Sequence, residues 1–122
     1  HTMAGKFCIN LTCSTDNTDR ATVAFVVANA AVASDKDTLV FLSIEAVRLS
    51  QKGVAESIHE EGFAPLKDLM NSFLEAGGKI FVCSPCFKKR KLDESNLVEG
   101  TLIVGGAKLV EFMSDSCPSL SY

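Results

Sequence analysis

A basic excess is missing from the sequence. Its 122 residues carry 12 Lys and Arg against 15 Asp and Glu, a formal net charge of −3. Broad nucleic-acid binding draws its affinity from many cations that displace condensed counterions, so no nucleic-acid partner is expected. An apolar run of the roughly 20 residues that a bilayer span needs is missing too. The longest, Ala21 to Ala33, is shorter and contains Thr22 and Asn29, so it reads as a buried helix and no membrane partner is expected. No arginine-flanked apolar leader opens the sequence, and His1-Thr2-Met3 reads as the remnant of an affinity tag, which leaves one domain over residues 4–122. No internal repeat, low-complexity tract or linker divides that domain.

Recognisable cofactor and triad signatures are equally scarce. Ser14-Thr15-Asp16 and Gly105-Gly106 each precede a predicted helix whose N–H groups could hold an anion, but neither has the spacing of a dinucleotide or P-loop fingerprint. Tight packing is the reading for the two glycines, and no cofactor is expected. His59, the one histidine outside the tag, has no second ligand or serine beside it and reads as a surface residue. Five cysteines, at positions 8, 13, 83, 86 and 117, are odd in number and unevenly spread. They fit a reducing cytoplasm better than a secreted disulfide framework.

The residues that are present alternate between two periods. Phe7–Thr12, Thr38–Leu42, Lys79–Val82 and Leu102–Val104 are short apolar runs of the kind buried in parallel strands. Leu120–Tyr122 suffices for an edge strand. Between them, Asp19–Ala33 reads as a helix covered nearly all round, and Glu45–Gln51 as a short helix in a long crossover. Pro65 opens a regular helix with Leu66, Leu69, Met70, Phe73 and Leu74 at helical spacing, which Gly77-Gly78 closes as a left-handed cap. Short helices are predicted over Phe87–Leu92 and Ala107–Met113. Strands alternating with helices predict an α/β fold, a three-layer α/β/α sandwich with a mainly parallel five-stranded sheet of flavodoxin-like size. In such sheets chemistry collects where strands end and helices begin.

Cys83-Ser84-Pro85-Cys86 lies at one such end. With Val82 ending the strand, Cys83 falls near a helix N-cap and Pro85 in the first turn, where its missing N–H is expected to cost nothing. Helix N–H groups and Lys88, Lys89, Arg90 and Lys91 are expected to lower the Cys83 pKa from about 8.5 toward neutrality. Cys83 is the candidate nucleophile, and the spacing lets Cys86 resolve what forms on it. A zinc site needs a second ligand pair, which Cys8, Cys13, Cys117 and His59 do not provide, so no metal is expected. Cys13 could add a thiol at the same sheet edge. Cys8 reads as an inert core residue, and Cys117 has no visible partner. The basic run itself reads as a solvated helix face or a docking patch.

The first strand with its Ser/Thr/Asp loop, the Arg20-Ala21-Thr22-Val23-Ala24-Phe25 helix, Val40-Phe41-Leu42, Val47-Arg48-Leu49 and Val82-Cys83-Ser84-Pro85-Cys86 together resemble the DsrE/DsrF-like family over residues 5 to 122. The resemblance implies a sulfur carrier or sulfurtransferase-like protein that holds sulfane sulfur as a persulfide on Cys83, taking it from a protein donor and passing it to an acceptor thiol. Cys86 matches a second cysteine found in some members only. The resemblance also implies a homo-oligomer, trimer or hexamer, or a hetero-oligomer, with part of the Asp19–Ala33 helix as interface. Two other readings stay open at this point. One is a thiol–disulfide oxidoreductase or peroxide-handling protein using Cys83 and Cys86; the other is a non-catalytic assembly subunit.

Overall fold

A strand buried on both faces must feed two cores with alternate residues, and the β2 and β3 sequences do so. In the computed structural model, which describes residues 5–122, Val40, Leu42, Ile80 and Val82 face one core while Leu39, Phe41 and Phe81 face the other. The tag-like residues 1–3 and Ala4 lie outside the described residues. The elements run β1 (Lys6–Leu11), α1 (Thr18–Ala33), β2 (Asp37–Leu42), 3-10 helices at Ile44–Ser50 and Ala55–Ser57, and α2 (Leu66–Glu75). They continue with β3 (Lys79–Cys83), α3 (Ser84–Lys89), a 3-10 turn at Glu94–Asn96, β4 (Thr101–Val104), α4 (Gly106–Met113) and β5 (Ser119–Ser121). The sheet order is β4-β3-β2-β1-β5, and every pairing is parallel.

That order dictates where the helices lie. From β1 to β4 the chain steps in one direction, and α1, α2 and α3 pack with the core that includes Phe25, Phe73 and Phe87. The step from β4 to β5 runs back across the whole sheet. Parallel crossovers keep one hand, so a reversed step has to use the opposite face. Accordingly Leu109, Phe112 and Met113 of α4 cover Cys8, Leu39, Phe41 and Phe81 on the other side.

Helix α1 is less fully covered than expected. Thr22 and Asn29, the two polar residues of its apolar run, point inward rather than to solvent. Thr22 is fully buried and donates to Thr18 O at 2.7 Å, while Asn29 Nδ2 donates to Phe25 O at 2.8 Å and across to Leu69 O of α2 at 3.0 Å. Thr22 is thus satisfied inside the core and Asn29, half-buried, at its border; an unpaired buried polar group costs about 1–3 kcal/mol. The opposite stripe is the open one: Val26 is 36% exposed, Val23 and Val27 are half-buried, and Ala30 and Ala33 are exposed. The helix is therefore not covered all round within the chain.

Helix α2 follows its sequence closely. Pro65 stands at its N-cap, Leu66, Met70 and Phe73 are buried, and the Phe73 ring meets Phe25 edge-on with centroids 6.0 Å apart. At its end Gly77 N–H donates to Leu74 O at 3.0 Å and Gly78 N–H to Phe73 O at 2.9 Å, the paired bonds of a left-handed cap, with Gly77 at φ +96°. The two glycines are needed for different reasons. A Cβ on Gly77 meets nothing, whereas one on Gly78 lies 2.3 Å from the Phe73 ring.

Their replacement should therefore have unequal effects. Gly77→Ala costs only the left-handed backbone, about 1 kcal/mol. Gly78→Ala forces the fully buried Phe73 ring to move and costs more, about 1–3 kcal/mol for overpacking. Urea unfolding of the two variants beside the parent measures the order, and Gly78→Ala being the milder change contradicts this account.

Candidate functional site

Strands β3 and β4 are neighbours, with Cys83 opposite Val104 at their carboxyl ends. Their continuations part there: α3 turns onto one face of the sheet and α4 onto the other. Adjacent strand ends whose connections diverge leave a crevice, the usual ligand position in open α/β sheets. Cys83 ends β3, is half-buried, and packs against both cores. Cys86 follows half-buried in the first turn of α3, and both thiols are free.

Cys83 is the N-cap of α3, which starts at Ser84, earlier than the predicted Phe87. An N-cap side chain draws its hydrogen bonds from the N–H groups two and three residues on. The residue two on is Pro85, which has none. No side-chain capping bond forms, and of the α3 backbone N–H groups that of Cys86 alone acts to lower the Cys83 pKa. Burial is the largest influence and raises it; the Cys86 thiol adds to the rise, and the Arg90 guanidinium opposes it. The net direction is upward, so the expected depression toward neutrality does not occur. Pro85 is comfortable for the helix but removes one of the two donors that the sulfur could have used.

The basic run is not one uniform face. Lys88, Lys89 and Lys91 are exposed, but the Arg90 side chain is only 11% exposed. Its Nε donates to Glu45 Oε2 at 2.6 Å and its Nη1 to Cys86 O at 3.3 Å. Glu45 also accepts from Arg48 Nε at 2.8 Å, and the hydrogen bonds from Arg48 and Arg90 hold its carboxyl below the usual range. Glu45 follows Ile44, a half-exposed β-branched residue at φ +55°. Left-handed backbone costs a residue with a Cβ about 1–2 kcal/mol. That turn starts the 3-10 helix immediately beyond β2 and brings Glu45 to α3. Gln51 secures the far side of α3, its side-chain amide exchanging two 3.0 Å bonds with the backbone of Asp93. The Glu45–Arg90 pair is absent from the sequence reading; the i, i+3 spacing of Glu45 and Arg48 was the one local signal of it.

Of the other candidates, Gly105-Gly106 directly follow Val104, the residue opposite Cys83, and Cys13 lies at the same carboxyl edge of the sheet, two strands from β3. Cys13 lies in the loop after β1, half-buried, with its sulfur 3.7 Å from Thr12 Oγ1. Cys8 is fully buried, and burial, reinforced by Cys117, pushes its pKa up to about 12. Cys117, read as having no visible partner, packs in the same core as Cys8 and is itself raised chiefly by burial. His59 is exposed and bonds Phe63 O at 2.9 Å. Gly105 and Gly106 are exposed with nothing near an added Cβ, so tight packing is not their role. Ser14 Oγ is buried without a hydrogen-bond partner in the loop before α1. Among the described residues no helix is long and apolar enough to cross a membrane.

Comparison with known proteins adds the relatives. The sequence profile of the DsrE/DsrF-like family matches residues 5–118. Uncharacterized protein MJ0760 of Methanocaldococcus jannaschii is 32% identical over 108 residues, which cover 88% of this chain and 39% of that protein. The chain thus spans about two-fifths of that relative's length. Among solved structures, the ychN protein from E. coli superposes with a TM-score of 0.69 at 14% identity, covering 96% of this chain and 99% of the other. A protein of unknown function from Methanobacterium thermoautotrophicum gives 0.67 at 13%, covering 97% and 98%, and a conserved protein of unknown function from Bacteroides thetaiotaomicron gives 0.66 at 18%, covering 94% of each. These structures share the fold.

Because the Cys83 pKa lies above the ordinary thiol value, its thiolate fraction is small at neutral pH and grows as pH rises. Iodoacetamide labelling of Cys83, followed by peptide mass spectrometry, should quicken through and beyond about pH 8.5. Cys8 should stay unlabelled in the native protein. Pro85→Ala restores a donor and should shift the Cys83 curve down by about half a pH unit, about threefold in rate at neutral pH. An unmoved or rising curve refutes the role given to Pro85.

Proposed function

The chain belongs to the DsrE/DsrF-like family, and from that premise we propose that it is a sulfur carrier or sulfurtransferase that holds sulfane sulfur on Cys83. The observation that carries this reading is the position of Cys83, half-buried at the end of β3 where α3 and α4 diverge. The Cys83 thiolate attacks the outer sulfur of a donor persulfide. The new bond joins Cys83 Sγ to that sulfur, the donor's S–S bond breaks, and its electron pair leaves with the donor thiolate. No net oxidant is consumed. An acceptor thiolate repeats the same displacement and carries the sulfur away.

Burial suits the resting state of such a carrier, since a mostly protonated thiol is a poor target for stray electrophiles. The sulfur it picks up extends one bond further from Cys83. Cys86 supplies a second outlet. Its thiolate can attack Cys83 Sγ, forming the Cys83–Cys86 disulfide and releasing hydrosulfide, and its place one helical turn away favours this step. The same juxtaposition favours thiol–disulfide exchange as the second reading, in which a small-molecule disulfide supplies the oxidising equivalent.

The outward valine stripe of α1 supports an assembly of several copies. Beside it lies a groove of about 270 Å³ lined by Phe7, Val27, Ala30, Ala31, Ser34 and Lys36. Burying such apolar surface contributes about 25 cal/mol per Å² before the cost of association. Val26→Asp places a charge in that stripe. It should reduce the particle size in sedimentation analysis with the helix content unchanged, and a wild type that is monomeric at every concentration refutes the assembly.

Intact-mass spectrometry after incubation with glutathione persulfide tests the carrier reading. Wild type should gain one sulfur, Cys83→Ser none at that site, and Cys86→Ser should retain the added sulfur longer than wild type. Equal gain by wild type and Cys83→Ser overturns it. Turnover of a small disulfide that disappears in Cys86→Ser, without sulfur addition to either protein, selects the second reading instead.

A further inference from the structure

Arg90 stands apart from the basic run that contains it. An arginine on a solvated helix face keeps its guanidinium in water. Arg90 instead folds back along α3 and withdraws from solvent, bonded to Glu45 and to the carbonyl of Cys86. Holding a cation there requires Glu45 to be brought from beyond β2, and the chain does so through the left-handed Ile44. Glu45 is in turn shared with Arg48, so the three side chains carry a net positive charge next to the Cys83–Cys86 turn. Two of the five N–H groups of Arg90 are engaged in these bonds, which leaves donors for an anion.

We propose that Arg90, clamped by Glu45, is the positioning residue for the sulfur anion at Cys83. This rests on the carrier reading for its purpose but not for its test. The attacking thiolate and the departing persulfide anion share one chemistry, a soft sulfur anion at a half-buried strand end. A fixed guanidinium at the edge of that site stabilises it without having to be reorganised when the charge appears. The surroundings leave few other groups for this task. From α3 the Cys86 thiol opposes ionisation of Cys83, and Lys88 and Lys89 are in solvent. From the 3-10 helix, Glu45 and Arg48 engage each other and Arg90. Val104, across from Cys83 on β4, carries no charge. Arg90, held 3.3 Å from the Cys86 carbonyl in the turn that follows Cys83, is the cation that opposes the rise in the Cys83 pKa.

The experiment follows the alkylation of Cys83 in a Cys86→Ser background, with neutral iodoacetamide and anionic iodoacetate, between about pH 6 and 10. Arg90→Gln should move the iodoacetamide profile up by about half to one pH unit, a three- to tenfold loss of rate at neutral pH, and should also lower the iodoacetate-to-iodoacetamide ratio. Arg90→Lys keeps the charge and should restore most of both. Lys88→Gln, which alters an exposed charge, should move neither. If Arg90→Gln does not fold, the double variant Glu45→Gln with Arg90→Gln removes both members of the pair, leaves only the partly exposed Arg48 without its carboxylate, and should show the same upward shift. A profile and ratio unchanged in a folded Arg90→Gln or double variant overturn the proposal. The readout needs no persulfide, so a protein that takes up no sulfur yet shows the shift refutes the carrier reading and leaves Arg90's role standing. Sulfur uptake without the shift does the reverse.

Discussion

In a parallel sheet each strand must be re-entered from the same end, and the crossover that does so has one permitted hand. Stepping from β1 through β4 in one direction therefore confines α1, α2 and α3 to a single face. Returning from β4 to the far side of β1 sends α4 to the other. The divergence of the chain at the carboxyl ends of β3 and β4 follows from that reversal and requires no further design. Cys83 lies at this parting because β3 is the last strand before the turn-back but one. The depth of the thiol and its contact with both cores are consequences of topology.

What topology does not determine is the charge balance at the sulfur. Three local decisions act there in different directions. Proline in the second position of α3 withholds a backbone donor, packing against the two cores penalises the anion, and Arg90 offsets part of that penalty. The sum keeps the thiol protonated at rest.

Much of this was legible in the sequence, and for identifiable reasons. β2 and β3 are unbroken apolar runs, which only a strand buried on both faces tolerates, and α2 is bracketed by Pro65 and Gly77-Gly78 with a regular apolar stripe between them. The junction at Cys83 followed from those boundaries. α1 misled because Thr22 and Asn29 satisfy themselves on nearby carbonyls, Asn29 also bridging to α2. Polarity in a mostly apolar helix therefore marked its inside. Arg90 looked like one more lysine-like charge because Glu45, its partner, is brought to it by tertiary folding. The rise in the Cys83 pKa was missed because proline was judged by what the helix needs and not by what the cap sulfur needs.

The short β5 strand has a bearing on how the chain is made. Its three residues pair with β1, and Tyr122 closes the seam through its amide to Asn10 O at 2.8 Å and its carbonyl to Thr12 N at 3.0 Å. As the chain leaves the ribosome, β1 to β4 can assemble in the order in which they appear. The outer edge of β1 has to wait for the last of these residues. During that interval an open parallel edge lies next to the valine stripe of α1, and such edges recruit other strands. Until β5 pairs, that edge of β1 is therefore open to strands of neighbouring chains.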